Sequence, residues 1–206
     1  MSSKQKNEGI NLQNREKISA LCSGGVSLAL SFVLSQIKLF TMPMGGTVTP
    51  ASILPLVIFA ACYGPLWGFA VCFVFSLLEL IGGTILFPLQ VVLDYILPFT
   101  LLGISSLAAL PQNERLKLRS VPSRISKTSY AKVTVTVLIS TLLRLTCSVL
   151  SGVIFFAEYA NGQNVWIYSL TYNVTFMIPD TIIALVLYTV LYGVISLKGK
   201  SDKKTA

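Results

Sequence analysis

Long apolar segments alternate with three clusters of basic residues, and that alternation restricts the fold more than any other feature. From Ile18 to about Ile37 the residues are mostly apolar, and about 20 such residues cross a bilayer core. The segment is longer than the apolar region of a cleaved signal peptide, and no small-residue cleavage site follows it. It reads as a retained first span. From Ala51 to Ile81 the chain is apolar again, interrupted by Gly64-Pro65. One helix of that length would run about 46 Å at 1.5 Å per residue, against a hydrocarbon core of about 30 Å. Further spans are expected at about 88–110, 133–157 and 166–196.

The basic residues decide how the middle segment folds. They gather at Lys4, Lys6, Arg15 and Lys17, then at Arg115, Lys117, Arg119, Arg124, Lys127 and Lys132, then at Lys198, Lys200, Lys203 and Lys204; only Lys38 and Arg144 fall elsewhere. Short loops rich in Lys and Arg stay cytoplasmic. An even number of crossings must then separate the first two clusters, so Gly64-Pro65 is read as a turn between two short helices. The expectation is an all-α integral membrane protein, a bundle of six transmembrane helices with both termini cytoplasmic. Residues 1–17 are expected as a cytoplasmic tail and 18–196 as a single membrane domain with a cytoplasmic loop at about 111–132. Residues 197–206 are expected as a basic cytoplasmic tail. Loops 38–50, 82–88 and 158–165 then lie on the outer side of the membrane.

Charge and composition remove several function classes. Only 12% of residues are charged, about half the share of a soluble domain. The net charge of +8 follows from the cytoplasmic clusters, so no nucleic-acid partner is expected. The chain has no histidine, which excludes Ser-His-Asp triads and HExxH zinc chemistry. No metal or cofactor is implied. The four cysteines stand singly inside apolar runs and read as small hydrophobes. No GxxxxGK[ST] occurs, so uphill transport would need an ion gradient or another subunit for its energy.

Ionisable residues inside a membrane are costly and are functional candidates. Glu79, Glu158 and Asp180 fall near outer helix ends, where an interfacial position is expected. Asp94 lies more than a turn inside its helix, in QVVLDYILPFTLLG. Arg144, mid-span, is expected as a structural ion pair or carbonyl anchor. Small residues recur at four-residue spacing in the first span, as Ser23, Ser27 and Ser31 and as Gly25 and Ala29. Such stripes let another helix approach closely.

The last three spans carry hydrogen-bonding aromatics in their outer halves. Asp94 and Tyr95 are followed by RLTCSVLSGVIFFAEYA and WIYSLTYNVTFMIPD. Ser148, Gly152 and Phe156 share a helical stripe, where Gly152 leaves room for a flat ring and Phe156 offers a stacking face. Tyr168 and Tyr172 share another face, with Asn173 to one side. An aromatic belt at the interface accounts for Trp166 and Tyr159, but not for an Asp beside a Tyr within an apolar segment.

These motifs, with the outer-loop segment MPMGGTVTPASILPL, resemble the thiamine-specific substrate-binding subunits (S-components) of energy-coupling-factor vitamin transporters over about residues 18–195. The resemblance implies a six-helix bundle that binds vitamin near its outer face. It also implies docking, through the small residues Ser23, Gly25, Ser27 and Ala29, on an energy-coupling transmembrane subunit driven by two ATPase subunits. The family's substrate contacts fall on Asp94, Tyr95, Gly152, Tyr168 and Asn173. Ser148 stands where the family usually has histidine, and Phe156 where it has a stacking tryptophan. The ligand implied is thiamine or a related pyrimidine or thiazole compound. A self-sufficient ion-coupled carrier, and an intramembrane enzyme pairing Asp94 with Asp180 or Glu79, stand as alternatives.

Overall fold

The computed structural model describes residues 3–202 apart from residue 44, with side chains described for 9–198 within that range. In chain order the helices begin with α1 (Ser3–Gln36), α2 (Leu54–Tyr63), α3 (Pro65–Leu78) and α4 (Pro88–Ala108). Two short helices, α5 (Gln112–Arg115) and α6 (Val121–Lys127), precede α7 (Tyr130–Phe155) and α8 (Val165–Asp202). Between α1 and α2 lies a small hairpin of β1 (Phe40–Thr41) and β2 (Thr47–Val48), antiparallel with Phe40 opposite Val48. Among the described residues, four helices are long and apolar enough to cross a membrane: α1, α4, α7 and α8. The polar residues from Ser3 to Lys17, expected as a tail, instead continue the first helix. At the other end, α8 runs on to Asp202, into the segment expected as a tail.

The middle apolar segment breaks where the sequence suggested. Gly64 has φ of +85°, in the left-handed region that side chains rarely adopt. Its N–H closes α2 on the Ala60 carbonyl at 3.0 Å. Pro65 starts α3, at the position where a missing N–H costs a helix nothing. Around this turn, Ile53, Leu56, Phe59, Phe75 and Leu102 are wholly buried, so α2, α3 and α4 form the packed centre. Leu66, Leu142, Ile182 and Val190 are exposed on the outside, the pattern of helices that face lipid.

Polar groups gather at both ends of the bundle. At the Gly64 end, the Arg124 guanidinium donates to the carbonyls of Cys62, Arg115 and Leu118 and lies over the Tyr63 ring at 4.5 Å. Glu16 of α1 faces Arg124 and Arg115 at 3.6 and 3.8 Å, tying α1 to the basic loop. Ser19 and Ser23 each hydrogen-bond the Tyr63 hydroxyl at 2.8 Å. Ser31 is wholly buried. Gly25 and Ala29 are exposed, beside exposed Val26 and Leu30. The two small-residue stripes of α1 therefore lie on different faces, one packed within the chain and one outward.

Candidate functional site

The opposite end holds a cavity of about 300 Å³, at the lower limit for small-molecule sites. Asp94, Tyr95, Ser148, Gly152, Phe156, Tyr168 and Asn173 all line it. Helix α4 brings the first two there through an irregular stretch. Residues Val92–Ile96 form a π-turn, with the Leu97 N–H bonded back to the Val92 carbonyl. Such turns occur frequently at functional sites. The following Leu101–Ala108 tightens into a 3₁₀ helix, where the sequence suggested only a regular span.

Asp94 does not stand alone. Gln90, one turn earlier and 2% exposed, donates from Nε2 to Asp94 Oδ2 at 2.9 Å and to the Thr84 carbonyl at 2.9 Å. Its Oε1 accepts from the Leu86 N–H at 3.0 Å. Tyr95 also reaches the same loop, its hydroxyl accepting from the Thr84 N–H at 2.8 Å. The loop after α3 is thus fastened to the acidic helix at two points. The i,i+4 spacing of Gln90 and Asp94 was available in the sequence as a signal that the two share a face.

On α7 and α8 the geometry gives Gly152 a different task from the one expected. A Cβ there would collide with the Ser169 hydroxyl and stand 3.0 Å from Ser169 Cβ. The space reserved by Gly152 is filled by the neighbouring helix. Ser169 uses the close approach to donate to the Val149 carbonyl at 2.9 Å. Asn173 Nδ2 spans the same seam, donating to the Ser169 carbonyl at 2.9 Å and the Ser148 carbonyl at 3.4 Å. Tyr168 and Tyr172 stack with ring centroids 6.3 Å apart, and Phe176 meets Tyr172 edge-on. Phe156, just beyond the end of α7, lies 6.1 Å from the Tyr159 ring. The hairpin covers this aromatic row through the Gly46 N–H, which donates to the Tyr172 hydroxyl at 3.1 Å.

Four charged residues besides Asp94 line the cavity: Glu79, Asp180, Arg144 and Lys38. Glu79 and Asp180, expected at the interface, both line it, whereas Glu158 is exposed. Asp180 Oδ1 accepts from the Thr49 hydroxyl at 2.7 Å and the Thr49 N–H at 3.2 Å, which fixes the base of the hairpin. Pro179 sits inside α8 beside it. Arg144, expected as an ion pair or carbonyl anchor, has no carboxylate within 4 Å among the described residues, and Asp180 and Glu79 act on its charge from further off. Its guanidinium lies over the Phe99 ring at 4.7 Å and borders the cavity. The formal charges around the cavity are three carboxylates (Glu79, Asp94 and Asp180) against Arg144 and Lys38. One negative charge is left over, which suits a singly charged cation with aromatic surface.

Residues 21–198 match the sequence model of the thiamine transporter protein family. The chain belongs to that family. The thiamine transporter ThiT of Bacillus subtilis is 33% identical over 169 residues, covering 79% of this chain and 83% of the relative. ThiT of Lacticaseibacillus paracasei is 25% identical over 189 residues, covering 89% and 91%. The solved structure of ThiT from Listeria monocytogenes superposes with a TM-score of 0.70 at 20% identity, over 86% of this chain and 95% of that one, and shows a shared fold. Membership of the thiamine transporter family makes the chain a multi-pass membrane protein of a prokaryote and not an enzyme. Acid–base chemistry by Asp94 with Asp180 or Glu79 is set aside on that ground.

Proposed function

We propose that this chain is the thiamine-binding subunit (S-component) of an energy-coupling-factor transporter, holding the vitamin in the cavity between α4, α7 and α8. The carrying observation is the cavity itself, in a chain of the thiamine transporter family. Its hydrogen-bonding aromatics surround a formal excess of one carboxylate. Thiamine has one permanent positive charge on its thiazolium and a hydrogen-bonding aminopyrimidine. Asp94 offsets the charge or binds the amino edge; Tyr95, Phe156 and Tyr168 offer ring faces, and Ser148 and Asn173 supply polar contacts. Gly152 acts by letting α7 and α8 close the wall.

In this reading six helices cross the membrane, α2 and α3 among them as short spans, and both termini are cytoplasmic. The outward Gly25 and Ala29 face of α1 docks on an energy-coupling transmembrane subunit served by two ATPase subunits. Ser23 and Ser27, on the same helix, support that face from inside. The chain has no phosphate-binding loop, so in this reading the ATPase subunits supply the energy for uptake.

The test is calorimetry of thiamine on purified protein. Removing one member of a buried charged pair costs about 2–5 kcal/mol, roughly thirtyfold or more in affinity. Asp94→Asn is expected to weaken binding by that factor, while exposed Glu158→Gln leaves it unchanged. Equal binding by Asp94→Asn would refute the counter-ion role. Because Ser148 and Phe156 depart from the family's residues, a related pyrimidine or thiazole compound is the second reading. Tight binding of such a compound by a wild type that ignores micromolar thiamine would select it.

A further inference from the structure

Gln90 takes no part in the aromatic wall, yet it is more deeply buried than any of the polar residues assigned to the ligand. Every hydrogen-bonding position of its amide that the fold can use is occupied. The oxygen accepts from Leu86, and the two N–H groups are directed at the Thr84 carbonyl and at Asp94 Oδ2. This arrangement fixes the amide's orientation. Flipped, it would set its nitrogen against the Leu86 N–H and its oxygen against the Thr84 carbonyl, two unfavourable contacts inside a buried site. The loop therefore dictates that Gln90 presents a donor, not an acceptor, to the carboxylate.

We infer that Gln90 is a positioning residue for the ligand's counter-ion: it holds Oδ2 of Asp94 as an acceptor and makes that setting depend on the Thr84–Leu86 loop. The inference rests on the assignment of Asp94 as the anionic contact and adds what orients it. An unheld carboxylate has free rotation about its side chain and loses part of its ordering entropy on binding. One held by a buried donor meets the ligand already oriented. The same amide links the loop to the ligand, because a change of loop conformation releases the donor. Tyr95, bonded to Thr84 on the same loop, reinforces the setting from the adjacent position.

A double-mutant cycle on thiamine binding separates this role from a merely structural one. Gln90→Leu replaces the amide by a branched apolar side chain of similar volume and adds no charge. Gln90→Met removes all three bonds. A hydrogen bond to a charged group accounts for about ten- to hundredfold in affinity, and each variant is expected to weaken thiamine binding by that factor. In the Asp94→Asn background, adding Gln90→Met should cost little more, since the group it orients has gone. Additive losses across the cycle would show that Gln90 acts through loop stability alone and would overturn the inference, leaving the thiamine assignment intact. A wild type that fails to bind thiamine would overturn both. Thermal unfolding of each unliganded variant identifies any that fails to fold, and Gln90→Leu keeps the cycle usable if Gln90→Met is one of them.

Discussion

Replacing Gly152 with alanine probes the wall of the cavity with a single methyl group. Its Cβ would strike the Ser169 hydroxyl and press within 3.0 Å of Ser169 Cβ. Ser169 must then turn its hydroxyl off the Val149 carbonyl, ending a 2.9 Å bond, and α7 and α8 must part slightly. The lost bond costs about 0.5–1.5 kcal/mol and the overpacking about 1–3 kcal/mol, together about 1.5–4.5 kcal/mol. For a chain of this size that lowers Tm by about 5–15 °C. Thiamine binding should fall as well, because Asn173 spans the seam that opens. The assay is thermal unfolding in detergent alongside calorimetry, for Gly152→Ala, Ser169→Gly and the double variant. Once the Ser169 side chain is gone, the next atom facing the new methyl is Asn173 Nδ2 at 3.8 Å, an ordinary contact. The double variant should therefore be no less stable than Ser169→Gly alone. Wild-type Tm and affinity in Gly152→Ala, or a double variant carrying the full sum of both losses, would refute the argument.

Two further outcomes test the chain's setting in the membrane. In a background lacking the native cysteines, Asn161→Cys should react with an impermeant thiol reagent on intact cells while Ser120→Cys stays protected; the reverse pattern would invert the proposed orientation. Gly25→Leu or Ala29→Leu should abolish uptake while thiamine binding persists, because among the described residues nothing lies within 4 Å of the position a Cβ would take at Gly25. Loss of binding along with uptake would refute an outward docking role.

The parts of this fold legible in the sequence are those with a local cause. Gly64-Pro65 breaks a helix through its own backbone chemistry, and the apolar lengths of α1, α7 and α8 follow from composition. The residues that reach the cavity were legible as types, since an Asp beside a Tyr in an apolar segment has few inexpensive structural explanations. What each does there depended on a neighbour distant in sequence. Gly152 reads as room for a ring until Ser169 is seen to occupy that room. Arg144 reads as an ion pair or carbonyl anchor, and only the fold sets the Phe99 ring beneath it. Glu79 closes α3 while Asp180 lies well inside α8, and only the fold, with the hairpin reaching Asp180 through Thr49, makes both of them cavity wall. The opposite faces of Ser23 and Gly25 were open to simple arithmetic, because two residues turn a helix by about 200°.

The π-turn in α4 has a consequence for how this protein can change over generations. A wide turn carries one residue more than its helix needs, and so acts as a rotary offset between two stretches of one helix. Gln90, before it, and Asp94, within it, are both brought to the cavity wall. After it, Gly103 receives the Phe69 ring so closely that an added Cβ would stand 2.6 Å from it. Deleting a residue inside the turn would restore a regular helix and swing the downstream stretch by about 100°, pulling that seam apart. With the offset in place the two stretches have separate angular settings. Substitutions that adapt the upstream stretch to a new ligand need not be matched by substitutions in the scaffold below it.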